Sequence, residues 1–222
     1  MTRSARLALA ATLLVTGACH RVSAHAALFS PTDAALAKVG PDSFDVEMTT
    51  TKGSFVVRTR RDWAPKGADR FHYLVRAGYY DGVRFFRVVD GFVAQFGMAA
   101  DPKLTAAWRE RRFTDDSVRV TNQRGTITFA TGGPNTRTTQ LFINFKDNSR
   151  LDRQGFSPIG QVVRGMSVVD SLHKGYGEGP PRGQGPSQGK IASEGEAYLA
   201  KEFPKLDKLV TARVVQEWRA KR

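Results

Sequence analysis

The strongest constraint on this chain is the pattern of its apolar residues, which alternate with polar ones or gather in short strand-like runs and show a helical period in only a few places. Phe44, Val46 and Met48 alternate with polar residues, Thr51-Lys52-Gly53 reads as a turn, and Phe55 and Val57 resume the alternation. That pattern predicts a β-hairpin. Short strand-like runs recur at residues 83–89, 92–96, 125–130, 141–145, 158–163 and 209–215, separated by turn residues. Helical stripes are few. Pro65 opens one, at the position where a missing N–H costs nothing. Phe71, Leu74 and Val75 give it a buried face, and Gly78 ends it. A second helix is expected over 166–173, with Met166, Val169 and Leu172 on one face and Gly175 just past its end. Ser193 and Glu196 have capping-box spacing before a further short helix. Many short strands with no strand–helix repeat exclude a doubly wound parallel sheet. The chain is therefore expected to be mainly β, a closed antiparallel barrel whose closure removes exposed edges, with helices over its ends.

Composition sets the remaining bounds. At 222 residues with 41% hydrophobic and 25% charged residues, the chain can bury a full core without disulfides or metals. Its one cysteine, Cys19, excludes a disulfide framework, and its four histidines show no metal-ligand spacing. The formal net charge of +13 is spread along the chain, with short clusters at 58–61 and 109–112 and no aromatic-interleaved basic strand. A solvated basic surface is the reading preferred, and no nucleic-acid partner is expected.

The first segment reads as an address. Arg3 and Arg6 precede an apolar stretch over 7–18, shorter than the ~20 residues of a spanning helix. Val22-Ser23-Ala24 offers a small-residue cleavage site for a secretory signal peptide. Thr16-Gly17-Ala18-Cys19 offers a second reading, since it resembles a lipobox, and lipidation of Cys19 would tether the chain to a membrane face. Either places the protein outside the cytoplasm, in the periplasm or as a membrane-anchored lipoprotein; a buried N-terminal helix of a cytosolic protein is the bland alternative. The expected organisation is a signal peptide over 1–24, a linker over 25–41, one domain with a C-terminal extension over 42–216, and a basic tail over 217–222.

Two stretches carry the chemistry. One runs Phe85-Phe86-Arg87-Val88-Val89-Asp90-Gly91-Phe92-Val93-Ala94-Gln95-Phe96-Gly97. The other runs Gly125-Thr126-Ile127-Thr128-Phe129-Ala130-Thr131-Gly132-Gly133-Pro134-Asn135-Thr136-Arg137-Thr138-Thr139-Gln140-Leu141-Phe142-Ile143. Together they resemble the cyclophilin family of peptidyl-prolyl cis–trans isomerases, over roughly residues 44–172. The resemblance implies an eight-stranded antiparallel barrel capped by two helices, no cofactor, and proline-containing polypeptides as partners of a monomer. It implies Arg87 as the catalytic arginine and Phe92, Val93 and Phe142 as lining of a proline pocket. Gln95 and Gln140 would hold substrate backbone, Ala130, Thr131 and Gly132 would run beside the bound peptide, and Leu151 would stand in the pocket wall. Departures are Val93 where Met is usual, Thr131 where Asn is common, Arg150 where many members carry Trp, and Phe156 where the family's pocket His is expected. Arg150 puts cyclosporin sensitivity in doubt, and Phe156 replaces a polar contact with an apolar wall.

That reaction needs few chemical groups. Rotation about an X–Pro bond faces a barrier of ~18–20 kcal/mol from amide resonance. No bond to the enzyme is made, so no nucleophile, metal or general base is required. Twisting localises a lone pair on the prolyl nitrogen, and a guanidinium aimed there binds the twisted form more tightly than either planar isomer. A non-catalytic peptide-binding module on the same scaffold is the alternative, and a basic binder of anionic polymers a third. Outside these motifs, Phe129 reads as core, Asp115-Asp116 as a solvated loop pair, His72 as a helix-surface or satisfied core residue and His173 as the cationic end of the second helix. The glycine-rich stretch over 177–189 lacks both nucleotide-binding fingerprints.

Overall fold

The computed structural model describes residues 27–220; the expected signal peptide with Cys19 and both expected cleavage sites, and the last two residues, lie outside them. The predicted hairpin is formed by β1 (Ser43–Thr50) and β2 (Gly53–Arg60), in a register that sets Phe44 opposite Thr59, Val46 opposite Val57 and Met48 opposite Phe55. β1 alternates strictly between half-buried and buried residues, as the period of two requires. Its turn is pinned by Thr50, whose Oγ1 donates to Gly53 O at 2.8 Å and accepts from Lys52 N at 3.0 Å.

Six further strands complete one antiparallel sheet: β3 (Arg87–Val89), β4 (Val93–Phe96), β5 (Thr126–Phe129), β6 (Leu141–Asn144), β7 (Pro158–Arg164) and β8 (Leu209–Trp218). Their order across the eight-stranded sheet is β3-β4-β6-β5-β7-β2-β1-β8. The expected closed barrel is corrected here to a half-barrel, because the outer strands β3 and β8 do not pair. Only the segments leading into them touch: Leu209 N donates to Val83 O at 2.8 Å and Phe85 N to Asp207 O at 3.0 Å. The reason is local. β3 is three residues long, and its outer edge is taken at Val88 by Gly177, from the C-terminal extension.

Helix α2 (Pro65–Arg76; α1 is the single turn Asp33–Leu36) packs Phe71, Leu74 and Val75 into the core as expected. A Cβ at Gly67 would stand 2.7 Å from Ile159 Cγ2, so the helix lies closer to β7 than any larger residue would allow. Ala64 cannot cap this helix. Asp116 does so instead, accepting from Lys66 N at 3.0 Å and Gly67 N at 2.9 Å. Asp116 is therefore buried and structural, not half of a solvated pair. The stretch preceding β1 also packs: Leu28 and Leu36 rest on the core, and Trp108 Nε1 donates to Leu28 O at 2.8 Å.

Four more helices stand beside α2, two of them expected in outline, after Gly165 and after Gly195, and two not expected. α3 (Pro102–Arg109), which Asp101 caps through Lys103 N, was not expected from the sequence. α4 (Met166–Asp170) stops three residues before His173, whose backbone N–H instead donates to Asp207. In the extension, α5 (Gln188–Glu194) is capped by Ser187, and α6 (Glu196–Glu202) starts after Gly195. The capping box expected at Ser193 does not form; that hydroxyl bonds back to Gly189 O inside α5. Ile191, Tyr198, Leu199, Phe203 and Leu206 bury themselves with Phe86 and Met98 in a second apolar cluster. Arg84 fastens it, donating twice to Glu196 (2.9 and 2.8 Å) and once to Leu206 O at 3.0 Å. The extension is thus built onto the sheet.

Candidate active site

On β4 and β6 the residues that face the core are Ala94, Phe96, Leu141 and Ile143. Alternation therefore turns Val93, Gln95 and Phe142 to the opposite face. The register sets Arg87 beside Gln95 and Gln95 beside Phe142, so three strands present a cation, an amide and a ring in one row. Val93, Phe142 and Leu151 form a small apolar cluster of their own, with Phe92, Ala130 and Phe156 packed against it. Leu151 comes from a 3₁₀ turn (Ser149–Gln154), and Phe156 meets the Phe142 ring edge-on with centroids 5.6 Å apart. These residues surround a cavity of about 550 Å³.

A buried polar network holds the cup from behind. Asn148 Nδ2 donates to Phe92 O at 3.0 Å and Asn122 Nδ2 to Phe156 O at 2.8 Å. Asn144 joins them through Thr126 Oγ1 and Asn148. The two rings that flank the cleft are thereby fixed through their own backbone carbonyls. None of these asparagines stood out in the sequence, because their role depends on partners far along the chain.

Of the residues singled out in the sequence, Arg87, Phe92, Val93, Gln95, Ala130, Thr131, Phe142, Leu151 and Phe156 line the cavity. Gln140 does not. It borders the adjoining depression with Gln95, Ala130, Thr131 and Gly132. The Thr131 hydroxyl is engaged within its own turn, with Gly133 and Thr136. Arg150 lies with its guanidinium 4.8 Å from the Phe92 ring centre, and Arg87 reaches the same ring at 5.5 Å.

The Arg87 guanidinium is the most highly engaged group in the cleft. Its Nη1 donates to Gln95 Oε1 at 2.9 Å, Gln95 Nε2 donates to Gln140 Oε1 at 2.9 Å, and Gln140 Nε2 donates to Gln188 Oε1 at 3.2 Å. Its Nε and Nη2 form a fork on Glu178 at 2.6 and 2.7 Å. Hydrogen bonding from Arg87 holds the Glu178 carboxyl below the usual carboxylate range, against the opposing effect of partial burial. A depressed carboxyl pKa keeps the pair charged at pH below the ordinary carboxylate range, and the pair is lost only as pH falls through the lowered value. Glu178, Arg182 and Gln188, all in the extension, line the cavity too. Sequence reasoning missed them because the path of a Gly/Pro-rich loop carries no periodic signal. Among the described residues no His, Cys, Asp or Glu cluster could hold a metal ion.

Comparison with known proteins bears on this arrangement. The family model for cyclophilin type peptidyl-prolyl cis-trans isomerase/CLD matches residues 45–193. Peptidyl-prolyl cis-trans isomerase B of Escherichia coli is 34% identical over 180 residues, covering 78% of this chain and 99% of that protein. Peptidyl-prolyl cis-trans isomerase cyp18 of Streptomyces antibioticus is 35% identical over 149 residues, 62% of this chain and 87% of the relative. Among solved structures, a cyclophilin type peptidyl-prolyl cis-trans isomerase of Cryptosporidium parvum is similar with a TM-score of 0.58 at 20% identity, covering 79% of this chain and 99% of that one. A second structure of that protein was determined in the presence of the dipeptide Ala-Pro.

Proposed function

The chain belongs to the cyclophilin-type peptidyl-prolyl cis–trans isomerase family, and from that premise we propose that it accelerates X–Pro rotation through Arg87 held over an apolar cup. The observation that carries the proposal is the row Arg87–Gln95–Phe142, which sets a cation beside a ring-sized apolar floor. The prolyl ring would sit on Phe142, Leu151 and Phe156, out of water. Gln95 would hold a flanking carbonyl, so that one side of the bond turns against a fixed other side. Two of the five guanidinium N–H groups remain beyond those given to Glu178 and Gln95. They can meet the lone pair that appears only when the amide is twisted, which is stabilisation of the transition state and not of the ground state.

A protease-coupled assay on an X–Pro anilide peptide tests this directly. The wild-type protein is expected to shorten the slow phase, which unaided takes tens to hundreds of seconds. Peptide binding without acceleration would instead support the binding-module alternative. Phe142→Ala removes the floor. Loss of one buried ring contact is worth about 1.5–3 kcal/mol, so KM is expected to rise roughly tenfold or more with a smaller change in kcat.

The cellular setting follows from the leader. The cationic start, short apolar run and small-residue site support export, with clients among exported proline-containing polypeptides. Mass spectrometry of the mature protein distinguishes its two forms: a chain beginning after Ala24, or one beginning at a lipid-modified Cys19. An intact Met1 terminus in cells would remove the export proposal.

A further inference from the structure

Glu178 stands outside the two sequence motifs, yet its carboxylate takes more of Arg87 than any other group does. We propose that Glu178 is a positioning residue for the isomerase reaction, fixing the plane of the Arg87 guanidinium so that its free N–H groups face the cleft. The proposal rests on the isomerase reading above and extends it to a residue of the C-terminal extension.

Three observations support positioning over mere surface pairing. Arg87 sits on a three-residue strand at the edge of the sheet, and its side chain has several rotatable bonds. A two-point fork on Nε and Nη2 sets the guanidinium plane, whereas the single bond to Gln95 leaves it free to pivot. The carboxylate is itself immobilised. Gly177, next in sequence, bridges Val88 on β3, and Glu178 O accepts from Gly185 N at 2.9 Å. A Cβ at Gly183 would lie 2.2 Å from Glu178 O, so the loop closes on itself in a form only glycine permits there. Tyr176, wedged between His173 and Phe203, ties the loop to the second apolar cluster. Finally, the far end of the polar chain, Gln188, comes from the same extension. Residues 178 and 188 hold Arg87, Gln95 and Gln140 from both ends.

A carboxylate on the catalytic cation could instead shield it, and the two roles have opposite signs. With the fold checked by thermal melting, E178Q and E178A are expected to lower kcat about tenfold, a modest misplacement of a reacting group, with KM within about twofold. The amide of E178Q keeps the size of the side chain but accepts from only one of the two N–H groups, so E178Q remains informative if E178A folds poorly. Because Glu178 acts through Arg87, E178Q is expected to add nothing in an Arg87→Ala background. The ¹⁵N–¹H signal of Arg87 Nε is expected to exchange slowly in the wild type and faster in E178Q, a readout that needs no turnover. Unchanged or raised kcat in E178Q, a change confined to KM, or an additive loss in the double variant would overturn the positioning role while leaving the isomerase reading in place. A wild-type protein without isomerase activity would remove that reading and this one with it.

Discussion

Arg87→Ala is expected to lower kcat/KM on a prolyl peptide by a hundredfold or more, the loss typical of one oriented donor at a developing charge. Binding should change far less. The apolar cup is built from Phe142, Leu151 and Phe156, and none of these depends on the guanidinium for its place. Stability should also be nearly unchanged, since the pair with Glu178 is partly solvated, and such pairs contribute about 1 kcal/mol or less. Arg87→Lys should recover little. An ammonium can replace the charge but not a planar fork that meets Glu178, Gln95 and the substrate at once. Full activity in Arg87→Ala would mean that the apolar cup alone turns the bond, and the mechanism would fail.

The largest effect on stability is expected at Arg137. Its side chain is 1% exposed, with Nη2 donating to Gly155 O at 2.6 Å and Nε lying 3.1 Å from Asp115. Nη1 faces Asp116 at 3.9 Å, the carboxylate that caps α2. Removing the cation leaves a cavity and a buried carboxylate without its counter-charge. Losses of about 3–5 kcal/mol are usual when one partner of a buried pair is deleted. For a chain of this size Arg137→Ala should lower Tm by roughly 6–20 °C. Activity should fall as well, because the Gly155 carbonyl that Arg137 holds precedes Phe156 in the cup wall. A Tm within 2 °C of wild type would show that the guanidinium is not the keystone between α2 and the 3₁₀ turn.

How much of this was legible in the sequence depended on range. The β1–β2 hairpin and α2 are local, and alternation at Phe44, Val46 and Met48, or a stripe at Phe71, Leu74 and Val75, is enough to place them. Arg87, Val93, Gln95 and Phe142 came from two long motifs and reach one face because strands of period two carry them there, while Leu151 and Phe156 come from the 3₁₀ turn and the residues just after it. What failed was long-range. Asp116 looked solvated because the N–H groups it caps are fifty residues away at Lys66 and Gly67. Glu178 and Gln188 were invisible because turns, not periodicity, bring their loop to β3. The barrel was expected closed because edges are costly, and the extension covers part of the β3 edge by another route. Two local signals were available and not read: Asp101-Pro102 opening α3, and Ser187 capping α5.

One pairing has a consequence for the order in which this protein is made. β1 lies against β8 along its whole length, from Ser43 opposite Trp218 to Thr50 opposite Leu209. The first strand of this sheet to leave the ribosome therefore waits for its last, and topologies dominated by such distant partners assemble slowly. Until residue 218 has been synthesised, Phe44, Val46 and Met48 lack one of their two flanking strands, and the emerging polypeptide stays unfinished.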